Sequence, residues 1–187
     1  MTVFYILFMN MSIKIIRDED VFSENKFEPV NTWEKRETVR LVVVRSDQKI
    51  ALMGNLVHDF LLLPGGGVDE GETLEDAVYR ECKEEVGSTC LIPKEIAESK
   101  EFRARNSKEY ETHCFVAQKG VDIDKDLRTD NEKNLQTYIK WVSVSEARQI
   151  YSKQVEQVQN GEVKYYNTAF NIIRDNYFLD KLTDDQL

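Results

Sequence analysis

The apolar positions change period along the chain, and each change marks an element. Thr38 to Val44 reads TVRLVVV, a β-branched run that predicts a buried strand, with Arg40 interrupting it. Ser46-Asp47-Gln48 is a turn, and Ile50 to Met53 returns as the second arm of a hairpin. Phe60 to Leu63 is a short apolar run that Pro64, lacking an N–H, brings to a stop. Beyond Gly65-Gly66-Gly67 the period becomes helical: Leu74, Ala77, Val78 and Cys82 make one stripe. Thr73 is its N-cap, with Asp76 at N3, and Gly87 is its stop. Cys90 to Ile92 and Ala97 to Arg105 predict short strands. Glu109 to Gln118 predicts a clearer one, with Tyr110, Thr112, Cys114 and Val116 on one side. Tyr138 to Val142 is a strand, and Ser143 with Glu146 opens a helix to about Gln157. Tyr166, Ala169, Phe170, Ile173 and Tyr177 repeat at helical spacing and mark a last, core-facing helix.

The first 36 residues follow no such pattern. Val3 to Phe8 is apolar, Ile13 to Ile16 has strand character, and Asp18 to Trp33 is polar and loop-like. We divide the chain into an N-terminal extension, 1–36, serving as an edge strand or a dimer arm, and one α/β domain, 37–187. With 187 residues and 41% apolar content, the chain is long enough for one sizeable core.

Charge and cysteine content narrow the chemistry. A net charge of −9 argues against a general nucleic-acid binder, though not against a nucleotide whose phosphates a metal neutralises. Cys82, Cys90 and Cys114 have no CxxC spacing and read as reduced thiols, and neither His58 nor His113 pairs with them in a zinc pattern. The longest uncharged run, Met1 to Ile13, is too short to span a bilayer, so we expect a cytoplasmic protein without a membrane partner. Asp122, Asp124 and Asp126 imitate a calcium loop, but its glycine is Leu127 and its last ligand is Lys133. The glycines also fail the dinucleotide fingerprint, because Glu70 stands where the third belongs.

One stretch concentrates the acid. Between Gly65 and Gly87 stand eight acids (Asp69, Glu70, Glu72, Glu75, Asp76, Glu81, Glu84, Glu85) against two bases (Arg80, Lys83), a net −6 of the chain's −9. Glu84 and Glu85 sit in the last helical turn, where the helix dipole favours bases. At roughly 100° per residue, Glu81 and Glu85 continue one side of the apolar stripe, with Glu84 at its edge. Three carboxylates beside a buried stripe repel one another and tend to protonate. A hard divalent cation removes both problems, since Mg²⁺ takes carboxylate and carbonyl oxygens.

These residues spell a pattern: the stretch resembles the Nudix box, G-x5-E-x7-R-E-U-x-E-E-x-G-U, with U aliphatic. Gly66, Glu72, Arg80, Glu81, Glu84, Glu85 and Gly87 fill the fixed positions, while Cys82 and Ser88 replace the aliphatic ones. The resemblance runs from about Thr38 to about Leu182. It implies a mixed β-sheet flanked by helices, an α/β/α sandwich. It also implies Mg²⁺, with Mn²⁺ as a substitute, held by Glu81, Glu84, Glu85 and the Gly65 carbonyl. Glu84 and Glu81 would be catalytic, joined by a carboxylate from a later loop, for which Glu132 is the candidate and Glu109 and Glu111 the reserves. Glu72 and Arg80 look like the family's structural ion pair. The implied reaction is Mg²⁺-dependent hydrolysis of a pyrophosphate bond in a nucleoside diphosphate linked to another group: a nucleoside triphosphate, a nucleotide sugar, ADP-ribose or similar. The alternative is a nucleotide-sensing module without strong catalysis, which would typically lose box glutamates that are all present here. Arg40 either pairs with a carboxylate or reaches a substrate phosphate. Arg103 and Arg105 form a solvated cluster or a phosphate-steering patch. Expected partners are a small-molecule nucleotide and, through the N-terminal extension, a second copy of the chain.

Overall fold

In a computed structural model, residues 13–22 and 27–187 are described, the side chains of Asn131 and Glu132 excepted. The apolar run Val3 to Phe8 lies outside the described residues. The run at Thr38 forms the C-terminal part of strand β2 (Glu34–Val44), which begins four residues before the predicted segment and ends with it. It pairs antiparallel with β3 (Lys49–Gly54) and parallel with β5 (Lys108–Asp122). β4 (Ser88–Arg103) lies antiparallel on β5, and β6 (Tyr138–Ser143) antiparallel on β3. At the far edge the short strand β1 (Lys14–Arg17) runs parallel to β4. The result is one mixed sheet of six strands in the order β1-β4-β5-β2-β3-β6.

Two sequence expectations change here. The short strands predicted at Cys90 and Ala97 are parts of one strand, β4, in which register shifts near Ser88, Leu91 and Glu95 break the alternation that marks a strand in sequence. The polar stretch after Ile16 contains a short helix, α1 (Asp18–Val21), whose Asp18 Oδ1 accepts the Tyr166 hydroxyl at 2.6 Å.

The alternation along β2 divides the core in two. Val39, Leu41 and Val43 meet Ala77, Val78 and Cys82 of the helix α2 (Leu74–Glu81) and the turn that follows it. Val42 and Val44 face the opposite layer, made by α4 (Val144–Gln159) and α5 (Tyr166–Lys181), where Ala147, Tyr151, Ala169 and Phe170 are buried. A short helix, α3 (Asp130–Asn134), sits in the connection between β5 and β6.

The α5 layer also buries charge. Arg174 bonds Asp175 through Nε at 2.8 Å and Glu101 through Nη1 at 3.2 Å, all three being buried. Arg103 forks onto Glu101 and bonds Asn171 at 2.8 Å. Burial opposes ionisation of Glu101, but Arg103 and Arg174 outweigh it and hold the carboxyl below its ordinary range. Asp175 passes this order outward: its Oδ2 accepts the Leu63 N–H at 3.0 Å and the Tyr151 hydroxyl at 3.2 Å. The chain is thereby fixed one residue before Pro64 and the glycine turn.

Candidate active site

The glycine stretch lies along the flank of β2 beyond the β3 pairing. Leu41 N–H donates to Pro64 O and Val39 N–H to Gly66 O, each at 2.9 Å, and Val68 N–H donates to Glu37 O at 3.0 Å. The approach is close enough to exclude side chains. Gly65 has φ +134°, and a Cβ there would stand 2.2 Å from Val39 O. At Gly66 a Cβ would stand 2.3 Å from Glu81 Oε1, so the carboxylate of Glu81 fills the space that a side chain would take.

The helix facing this turn is built as its sequence predicts at one end and differently at the other. Thr73 caps it, its Oγ1 accepting the Asp76 N–H at 3.1 Å. The last turn, Cys82–Val86, is π-helical and closes on Gly87 in the left-handed region, φ +70°. A wider turn moves Glu84 and Glu85 off the ~100° positions of an ideal α-helix. Glu85 Oε2 consequently reaches the Gly65 N–H at 2.5 Å.

Arg80 organises the rest. Its Nε and Nη2 fork onto the two oxygens of Glu72, both at 2.9 Å. Nη2 also donates to Gly67 O at 2.7 Å, tying the acidic loop to the turn. Nη1 bridges two helix carboxylates, Glu81 at 2.6 Å and Glu84 at 3.2 Å. The fork holds the Glu72 carboxyl below its ordinary range, and the same bonds hold the guanidinium above its own. Burial pushes the Glu81 carboxyl up despite Arg80.

This donor set is all oxygen, the chemistry a hard divalent ion takes. Glu81, Glu84 and Glu85 are not drawn into one tight group: Arg80 holds the first two and the Gly65 N–H holds the third. Arg80 places positive charge between Glu81 and Glu84.

The other expected residues are dispersed. Arg40 is half-buried, donates through Nη1 to Val39 O at 2.9 Å, and has a buried Nε without a hydrogen-bond partner. Burial and Arg174 lower its pKa, while Asp175, Glu85 and Glu101 act against that. Arg103 is 3% exposed and committed to Glu101, Asn167 and Asn171. Arg105 is exposed, its guanidinium 4.5 Å above the Tyr166 ring. Glu132 falls in α3, its side chain outside the described residues. Glu109 and Glu111 lie on β5, with Glu111 3.3 Å from Lys100.

Sequence reasoning passed over the wall of the site. A cavity of ≈ 360 Å³ adjoins Glu84 and Glu85, lined across from them by Lys125, Arg128 and Tyr138. A second, of ≈ 350 Å³, lies against Arg80, Lys83 and Leu127. The charges come from the loop between β5 and α3, which has no periodicity to mark it. Spacing within a single helix could have singled out Lys83 alone.

Comparison with known proteins agrees with this geometry. The family model described as NUDIX domain matches residues 34–163. An RNA pyrophosphohydrolase of Hydrogenovibrio crunogenus is 29% identical over 109 residues, 55% of this chain and 66% of that one. An ADP-ribose pyrophosphatase of Methanocaldococcus jannaschii is 47% identical over 55 residues, 28% of this chain and 31% of that one. In neither relative does the match reach two thirds of its length. The solved structure of a NUDIX hydrolase from Nitrosomonas europaea superimposes with a TM-score of 0.54 and 22% identity, covering 82% of this chain and 96% of that one, a likeness of fold.

Proposed function

The chain belongs to the Nudix family, and on that premise we propose that it is a pyrophosphohydrolase, cleaving a phosphoanhydride bond in a nucleoside diphosphate linked to another group. The observation that carries the reading is the placing of Glu81 and Glu85 against the Gly65-Gly66 turn, with Arg80 bridging Glu81 to Glu84. The relatives named RNA pyrophosphohydrolase and ADP-ribose pyrophosphatase support a pyrophosphate linkage as the bond cleaved.

Glu81, Glu84, Glu85 and the Gly65 carbonyl would hold Mg²⁺. A bound ion of this kind neutralises phosphate charge and lowers the pKa of a water. The chain's own residues do the remainder. Arg80 and Glu72 keep the acidic loop against the helix, so the carboxylates stay preorganised and little reorganisation is needed during reaction. Glu81 stands nearest the turn, its carboxylate filling the space beside Gly66 that a side chain would take. Glu132, on α3, is our candidate for a further metal ligand or the general base. Lys83 and Lys125 line the cavity at Glu84 and offer cationic contacts for a phosphate chain, whereas Arg128 is held by Asp126 and the Thr137 carbonyl. Residues 37–187 act as the hydrolase domain, with 1–36 as an extension that supplies the edge strand β1 and the first residues of β2.

The substrate is tested by phosphate release from a panel, each member with Mg²⁺ and with chelator. The panel holds nucleoside triphosphates, oxidised triphosphates, ADP-ribose, nucleotide sugars, dinucleoside polyphosphates and a 5′-triphosphorylated RNA oligonucleotide. Mg²⁺-dependent cleavage of one class is the expected result. Absence of turnover, with a nucleotide still raising the melting temperature, would replace this reading with the nucleotide-sensing one.

A further inference from the structure

We propose that Glu95, Glu98 and His113 form a second divalent-metal site, built on the sheet and separate from the helix carboxylates, suited to a transition ion of the zinc type. In a regular strand residues 95 and 98 would point to opposite faces. The register shift between Glu95 and Ala97 cancels that alternation, and β5 then supplies His113 directly opposite Glu98. Bulges re-aim side chains in this way, often beside sites. The three residues each present a ligand atom, all within 4.8 Å of one another.

His113 gives the cluster its chemical character. It is 9% exposed, and its Nδ1 lies 2.7 Å from Glu95 Oε1. Its buried Nε2 has no hydrogen-bond partner, although Glu37 Oε1 on β2 is 3.6 Å away. A metal on Nδ1 fixes the proton on Nε2, and a closure of a few tenths of an ångström gives that proton to Glu37. This is the carboxylate–histidine–metal arrangement in which an outer carboxylate orients the ring. One imidazole with carboxylates is a donor set for Zn²⁺ or Co²⁺, whereas Mg²⁺ prefers oxygen alone. The ion would clamp β2, β4 and β5 where the Glu37 carbonyl also holds Val68, at the end of the glycine stretch.

The test is a Zn²⁺ titration by calorimetry of the full chain, first stripped with chelator and then kept in excess Mg²⁺ to fill the helix carboxylates. Co²⁺ is titrated in parallel, with its visible absorption as the readout. One equivalent of Zn²⁺ is expected, raising the melting temperature. Glu98→Gln and His113→Asn should each weaken binding by at least about tenfold and alter the Co²⁺ band. A chain carrying Glu81→Gln, Glu84→Gln and Glu85→Gln should keep that equivalent. Glu98→Gln alone decides the matter if the histidine variant does not fold. No Zn²⁺ binding in excess Mg²⁺, or binding that Glu98→Gln leaves unchanged, overturns the proposal and leaves an ordinary His113–Glu95 ion pair.

Discussion

Replacing Arg80 with alanine removes one side chain and strands four acceptors: Glu72, Glu81, Glu84 and the Gly67 carbonyl. Exposed ion pairs are worth about 0–1 kcal/mol, and hydrogen bonds to charged groups about 1.5–3 kcal/mol. Arg80 lies between these cases, with 26% of its side chain exposed. The Glu72 fork and the carbonyl bond are short and coupled through one guanidinium, so their contributions do not simply add. Removing the base also leaves Glu81 and Glu84 to repel each other. A loss of about 3 kcal/mol is therefore expected, or roughly 6–12 °C in melting temperature at 2–4 °C per kcal/mol. Calorimetry in chelator measures it without interference from bound metal. Arg80→Lys should fall between the wild type and the alanine variant, because an ammonium keeps the charge and loses the fork. An alanine variant that melts with the wild type would refute the view that Arg80 holds the acidic loop to the helix.

Gly66→Ala should abolish most turnover at modest cost in stability, since the new Cβ collides with the end of the Glu81 side chain rather than with backbone; phosphate release and a thermal melt separate the two effects. Asp175→Ala takes one of two carboxylates from buried Arg174, leaving Glu101, and removes the acceptor for Leu63 N–H, so a loss of about 3 kcal/mol is expected in urea denaturation. Acid should weaken the fold through Glu101. Its folded pKa lies below the unfolded value, so its contribution is present above the ordinary carboxylate range and disappears as pH falls through the folded pKa. Urea midpoints between neutral and acid pH should therefore drop more steeply in the wild type than in Glu101→Gln, and parallel profiles would remove Glu101 from the account.

The sheet and the box were legible for different reasons. TVRLVVV and the Tyr166 stripe have strong periods, and their elements formed within a few residues of the prediction. The Thr73 cap was legible because its partner lies three residues away. What involved distant partners was hidden. Nothing local in EFRAR says that Glu101 and Arg103 are buried with Arg174, which lies far along the chain on α5. Arg103 was read as a surface cation on that account. The β4 bulge at Glu95 likewise broke the alternation that would have announced a long strand, and the same bulge brings Glu95 and Glu98 together. The turn after Glu81 is π-helical and closes on Gly87, so an ideal helical wheel misplaces Glu84 and Glu85.

The central claim is that the helix carboxylates carry a metal-dependent hydrolysis, and the most direct measurement compares Mg²⁺-dependent turnover of the wild type with that of Glu84→Gln on the best substrate of the panel. The account predicts a loss of at least about a hundredfold, roughly 3 kcal/mol of transition-state stabilisation, with an unchanged melting temperature in chelator. Equal turnover in the two proteins would contradict it and move the chemistry elsewhere in the molecule.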